Sequence, residues 1–408
     1  MLRDWTIYTP VTTGTYSGTQ SLSLASLPVT ALKITFRNRA ADEARITFET
    51  DSPVYSPDNI WAHLEFGKEY LLACPWEGQG IQDRPFFYGT LEKLVHKDSG
   101  RGGSVELVFL GGWHFLTRYI YQTNDGAGHI TSHVTIGGPA LSATDQICKI
   151  LYYAAGLSQL VEKCRIRYEV QDVTGIRTYV DVSGKAIPSA DRRDITCAEA
   201  IDAVLAFFPD AHAWTEFDWV SSGAALANND FPFPQIHVGR IHEDPDVQLS
   251  TDGTFDGADV VSCSISKGQI PPCPGVMLSL EGPAGTIIDR GYVGNSKDPG
   301  GLIATLEYDS SFGNFPVDLG QLAVDLYQGL QRARPEGSLV LVGPEAPGLF
   351  TLRPDRRIWL DAAHVASPIQ SVEFDIGHGQ TTVTFGPPSH LGTQDLVSLA
   401  RANRTRRS

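Results

Sequence analysis

Ile34 and Phe36 alternate with Thr35 and Arg37, and after a charged loop Ala44, Ile46 and Phe48 alternate with Arg45, Thr47 and Glu49. A period of two puts one set of side chains on a buried face and the other in water, so this stretch predicts two strands of a one-sided antiparallel sheet. The pattern recurs in "SVELVFL", where Val105, Leu107 and Phe109 oppose Ser104, Glu106 and Val108. "WAHLEFGKEYLLACPW" and "RPFFYGTLEKLVHKDSG" are further strand candidates, with glycines at 67, 89, 100, 102 and 103 read as turn positions between runs. Residues 1–135 therefore predict a first antiparallel β-barrel or sandwich.

The period changes near residue 140. "LSATDQICKILYYAAGLSQL" places Leu141, Ile147, Ile150, Leu151 and Ala154 at helical spacing, with Ser142 or Thr144 as a cap and Gly156 as a stop. A second helix fits "TCAEAIDAVLAFFPDAHAW", opened by Thr196 with Glu199 at capping-box spacing and ended by Pro209. "CRIRYEVQDV" and "PQIHVGR" read as strands, so residues 136–255 predict an inserted α+β domain. Beyond it, "VVSCSIS", "GVMLSLEG" and "GTIIDRGYV" return to strands. One helix follows, with Leu319, Leu322, Ala323, Leu326, Tyr327 and Leu330 on a single face, and then "GSLVLVG", "GLFTLRPDRRIWL", "SPIQSVEFDIGHG" and "QTTVTFG" rebuild a barrel-like run. Residues 256–400 thus predict a second β-barrel with one helix, and 401–408, "RANRTRRS", a short basic tail.

No repeat of 20 to 50 residues is visible, which argues against solenoids and propellers. One echo is: "VFLGGWHFL" (108–116) and "VTFGPPSHL" (383–391) each end a strand, break at glycine and re-enter at leucine. It points to two related barrels flanking the insertion. The fold class expected is mainly β with an α+β insertion, two antiparallel tube-like barrels flanking an inserted domain.

The 408 residues exceed what one core organises, which agrees with several domains. A net charge of −15 argues against a general nucleic-acid binder, since phosphate neutralisation needs clustered Lys and Arg. The start "MLRDWTIYTPV" has neither a basic stretch nor an apolar run of signal length, and no 18-residue apolar span occurs, so no membrane segment is expected. Cys74, Cys148, Cys164, Cys197, Cys263 and Cys273 are scattered without CxxC spacing, so they are expected to be reduced and structural.

Candidate chemistry is thin. "DGTFDGADV", from Asp252, matches positions one, five and six of a calcium loop, but position twelve is Cys263, so an Asp/Gly turn is the better reading. His237, His242, Glu243, Asp244 and Asp246 cluster without HExxH spacing, in a stretch from Asp210 to Asp259 that holds ten acidic residues against Arg240 alone. A solvated acidic face follows more simply than a metal site. No GxSxG exists, and Cys148 lies on the apolar stripe of its helix. No catalytic, cofactor-binding or metal residue is assigned, and no cofactor is expected.

The order "ARITFETD", "LEFGKEYLL", "FFYGTLEKLVHKDSGRGGSVELVFLGGWHFLTRYIY" resembles the first barrel of the baseplate or tail-tip hub proteins of tailed bacteriophages, a group related to the first part of the type VI secretion spike. "SATDQICKILYYAAGL" and "AIDAVLAFFPDAHAWTEFDW" resemble their inserted domain, and "QLAVDLYQGLQRARPEGSLVLVG" through "SVEFDIGHGQTTVTFGPPSHLGTQDLVSLARANR" their second barrel. An OB-fold and needle after the second barrel are not expected here, which leaves the tip to another protein. The resemblance implies a non-enzymatic virion protein, assembled in the bacterial cytoplasm as a homotrimer. Six similar barrels would then adapt a sixfold tail tube to a threefold tip. It implies as partners the tail tube or distal tail ring, a tape measure protein, and tip, spike or central fibre proteins. Genomic DNA would pass through the lumen without specific binding, and the acidic balance suits such passage. Two other readings stay open: a carbohydrate-active or peptidase-like tail protein using the 237–246 cluster, and a receptor-binding tail protein using aromatics such as Trp214 and Trp219.

Overall fold

A computed structural model describes residues 5–8, 21–52, 57–61, 63–76, 82–98, 102–124, 127–138, 140–156, 180–217, 234–240, 247–249, 254–255, 258–266, 274–281, 286–294, 302–307, 318–332, 336–343, 352–354, 356–360 and 365–386. The first strands are β1 (Thr6–Tyr8), β2 (Ser21–Ser23), β3 (Val29–Arg37), β4 (Glu43–Glu49), β5 (Glu69–Trp76), β6 (Gln82–Asp98) and β7 (Gly103–Leu110). Short strands β8 (Thr123–Asn124), β9 (Ile130–Thr131), β10 (His133–Ile136), β11 (Val180–Asp181) and β12 (Ala190–Arg193) lead to β13 (Ala211–Phe217) and β14 (Pro234–Arg240). The remainder are β15 (Val247–Leu249), β16 (Thr254–Phe255), β17 (Ala258–Ser266), β18 (Gly275–Glu281), β19 (Ile287–Gly294), β20 (Leu302–Glu307), β21 (Glu336–Val342), β22 (Arg357–Leu360), β23 (Val365–Asp375) and β24 (Gln380–Phe385). Helices are α1 (Pro57–Trp61), α2 (Trp113–Arg118), α3 (Ala143–Gly156), α4 (Cys197–Leu205) and α5 (Leu319–Arg332).

The protein is mainly β, as the alternation requires. One 14-stranded sheet runs β16-β17-β21-β24-β23-β3-β4-β7-β6-β5-β1-β2, with β22 on β23 and β15 on β22. Its inward residues, among them Ile34, Phe36, Ile46, Phe48, Leu107, Phe109, Leu339, Leu341, Val372, Phe374, Val383 and Phe385, form a single apolar core. Gly89 falls inside β6 rather than at a turn. A Cβ there would stand 2.7 Å from the Leu110 carbonyl oxygen, so this close approach of β6 to β7 excludes a side chain.

The second core belongs to the middle of the chain. Ser142 caps α3 through the Asp145 amide (3.0 Å), and Ile147, Ile150, Leu151 and Ala154 are buried along one stripe. Thr196 caps α4 in a capping box: its hydroxyl accepts from the Glu199 amide (3.2 Å) while the Glu199 carboxylate accepts from the Thr196 amide (2.7 Å). The helix stops at Leu205, ahead of Pro209, and Ala211 already opens β13. The apolar face of α5 and the inner face of β18 bury themselves in this same core, not under the large sheet. The expected strand 164–173 lies outside the described residues.

Candidate assembly surface

The large sheet contains one strand order twice. The first run is β3-β4-β7-β6-β5 and the second is β17-β21-β24-β23-β22, with corresponding strands in corresponding neighbours. Register and irregularities also repeat. A bulge falls between Val29 and Ala31 of β3, and another between Val260 and Ser262 of β17, each against the second strand of its run. A second bulge falls between Leu91 and Lys93 of β6, where Leu91 faces Phe109. Its counterpart lies between Ile369 and Ser371 of β23, where Ile369 faces Phe385. Ile46 then corresponds to Leu339, Phe48 to Leu341 and Leu107 to Val383, all six in the core. The echo between 108–116 and 383–391 is therefore a duplication, but its register shifts by one: Phe109, not Leu110, stands where Phe385 stands. Residues 387–391 of the echo lie outside the described residues.

The two runs meet where β3 pairs antiparallel with the second half of β23: Arg37 with Ser371, Thr35 with Glu373, and Lys33 with Asp375. Inside, Phe36 and Phe374 pack edge to face at 6.1 Å, and Phe86 closes a three-ring cluster at 5.5 and 5.2 Å from them. The Arg353 guanidinium lies 3.9 Å over the Phe36 ring. Outside, Lys33 Nζ reaches Asp375 (2.9 Å) and Glu373 (3.8 Å). Burial pushes the Asp375 carboxyl up, but hydrogen bonds from Lys33 and His378 outweigh it and leave it below its ordinary value. Thr35, expected on the wet face, is buried because β23 runs beside it. Thr47 and Thr382 are half-buried and Thr384 is exposed.

The hairpin from β3 to β4 locks this junction to the rest of the molecule. Asn38 donates from its backbone to the Gln370 carbonyl (2.9 Å) and from Nδ2 to Gln370 Oε1 (2.9 Å), so it seats on the β23 bulge. Its Oδ1 accepts from the Ala213 amide (3.0 Å). Arg39, left-handed at φ 51°, is buried and donates to the carbonyls of Ala211 (2.6 Å) and Phe208 (3.3 Å) at the start of β13. Asp42, wholly buried, accepts from the Arg37 amide (2.9 Å), yet burial pushes its carboxyl up to about 6. Arg240 bridges Asp210 (2.9 Å) and Asp325 (3.0 Å), which fastens β14 to α5.

On the side of the sheet away from its core, charges alternate across strands. Lys97 on β6 meets Glu106 on β7 (2.8 Å), and Glu106 meets Arg45 on β4 (3.1 Å). Among the described residues these pairs offset one another's charge across neighbouring strands. Of the 237–246 cluster, His237 stacks on Trp214 (5.3 Å) and Arg240 is engaged as above, while 241–246 and Trp219 lie outside the described residues. Cys74 and Cys197 are buried, Cys148 is half-buried and Cys263 is exposed; Cys164 and Cys273 lie outside the described residues.

No protein-family model and no curated protein matches this sequence. Its fold is shared with solved structures. A tail protein from Neisseria meningitidis MC58 superimposes with a TM-score of 0.54 at 11% identity, over 96% of this chain and 99% of that one. The 43 kDa tail protein of prophage MuSo2 from Shewanella oneidensis gives 0.50 at 10% identity, over 95% and 99%.

Proposed function

We propose that the chain is a non-enzymatic structural protein of a bacteriophage tail, a hub of three copies whose two strand runs make six similar wall segments around a channel. The observation that carries this reading is the duplication: one strand order, with the same bulges, occurs twice and is already joined edge to edge within the chain. Three such chains present six similar segments, so a threefold tip can sit beneath a sixfold tube without a second adapter. The fold shared with two tail proteins supports the same setting.

The hub would contact the tail tube or distal tail ring on one side and tip, spike or central fibre proteins on the other. The tape measure protein and then genomic DNA would pass between the walls. With a net charge of −15 the chain repels phosphate over its surface as a whole, which favours passage over binding. Assembly would take place in the host cytoplasm before the virion is released.

Quantitative mass spectrometry of purified particles tests the assignment. Three copies per tail are expected, and particles made without the chain should lack a working tail tip. A chain absent from particles, or present at six or more copies per tail, would overturn it.

A further inference from the structure

The duplication leaves one junction filled and its counterpart open. In the filled one, the second half of β23 pairs with the free side of β3. The matching halves are the second half of β6 and the free side of β17. On β6, strand β5 and residues 67–68 occupy one side only as far as Leu91, and among the described residues nothing pairs with that side from Lys93 to Lys97. On β17, the hairpin strand β16 covers Ala258 and Asp259, and among the described residues nothing pairs beyond them on that side. Among the described residues both edges are unpaired, and an uncovered edge is open to water and to aggregation.

Burial differs at matched positions in the way an absent neighbour requires. The bulges and registers align Leu32 with Cys263, Ile34 with Ile265, Val372 with Leu94 and Phe374 with His96. Leu32, Ile34, Val372 and Phe374 are at most 1% exposed, whereas Cys263 and His96 are exposed and Ile265 and Leu94 only half-buried. We infer that the open side of β17 pairs antiparallel with the second half of β6 in a second copy of this chain, in the register of the internal junction. Transferring that register places Ser266 against Val95, Ile265 against His96, and Ser264 against Lys97 of the neighbour. The contact is heterologous, each copy offering β17 on one flank and β6 on the other, so it propagates until the ring closes.

This inference rests on the ring proposed above and adds which edges close it. Disulfide trapping tests it in the full-length chain. In a Cys263→Ser background, Lys97→Cys with Ser264→Cys places two outward-facing thiols opposite each other on adjacent strands, within reach of a disulfide. Mild oxidation should give a covalently closed trimer, with the 97–264 linkage identified by peptide mapping. Each single variant, and the shifted pair Lys93→Cys with Ser264→Cys, should stay unlinked. A trimer by native mass in which 97–264 fails to link, or links no better than the shifted pair, would overturn the strand assignment while leaving the ring. A chain that remains monomeric would overturn both. Hydrogen exchange gives a second readout: the edge-facing amides within 93–97 and 264–266 should be protected on assembly, and unchanged exchange there would contradict the inference.

Discussion

Replacing Phe374 by alanine removes the centre of the junction between the two strand runs. The ring is 1% exposed and lies edge to face with both Phe36 (6.1 Å) and Phe86 (5.2 Å). Deleting a buried phenylalanine costs about 3–5 kcal/mol through lost transfer energy and the cavity left behind. Two aromatic partners, both faced by the Arg353 guanidinium, place this site near the middle of that range, at about 4 kcal/mol. His96 holds the matching position in the other run and is exposed, so His96→Ala should stay within about 0.5 kcal/mol in the dissociated chain. Urea unfolding of both variants, followed by tryptophan fluorescence below the concentration at which copies associate, gives the two values side by side. A cost under about 1 kcal/mol for Phe374→Ala would refute the view that the runs are fused through a packed core. An equal cost at both positions would refute the claim that one junction is filled and the other open.

Stability should fall as pH rises from about 4 to about 6, because burial pushes Asp42 and Asp202 up to about 6, so the folded chain binds protons there that the unfolded chain releases. Asp42→Asn should remove a large part of that slope in thermal melts across the range, with Asp375 and Glu43, both held below their ordinary values, acting in the opposite sense at the low end of the range and below it; a slope left unchanged would contradict the burial of Asp42. Thr196→Ala removes one arm of the capping box and should cost about 1 kcal/mol in unfolding free energy, and a neutral result would contradict the cap. Thiol labelling with peptide mapping should leave Cys197 and Cys148 unreacted in the folded chain, since burial pushes their thiols up to about 12 and about 11. Cys263 should react in the dissociated chain and be shielded on assembly; equal labelling in both states would count against its place at a junction.

The strands that face the core on one side were legible because their alternation has no other cheap explanation: β3, β4, β7, β21 and β24 all fall on the expected segments. So did α4, whose start is written in Thr196 and Glu199, a local signal that needs no tertiary partner. Thr35 was misplaced because its neighbour comes from the far end of the chain, and periodicity reports an element's faces but not what lies against its edge. For the same reason the apolar face of α5 was visible while its burial in the middle core was not. The duplication was legible only as a fragment. It is kept in register and bulge positions, whereas its side chains have diverged to pairs such as Leu32 with Cys263 and Ile46 with Leu339. An alignment by letters therefore stepped one residue off, to Val108 with Val383.

Native mass measurement of the purified chain tests the hub most directly. The account predicts a closed species of three times the 44.4 kDa chain mass at micromolar concentration, with neither dimers nor open chains of copies accumulating. A stable monomer at that concentration, or a symmetric dimer with β17 paired to β17, would contradict it.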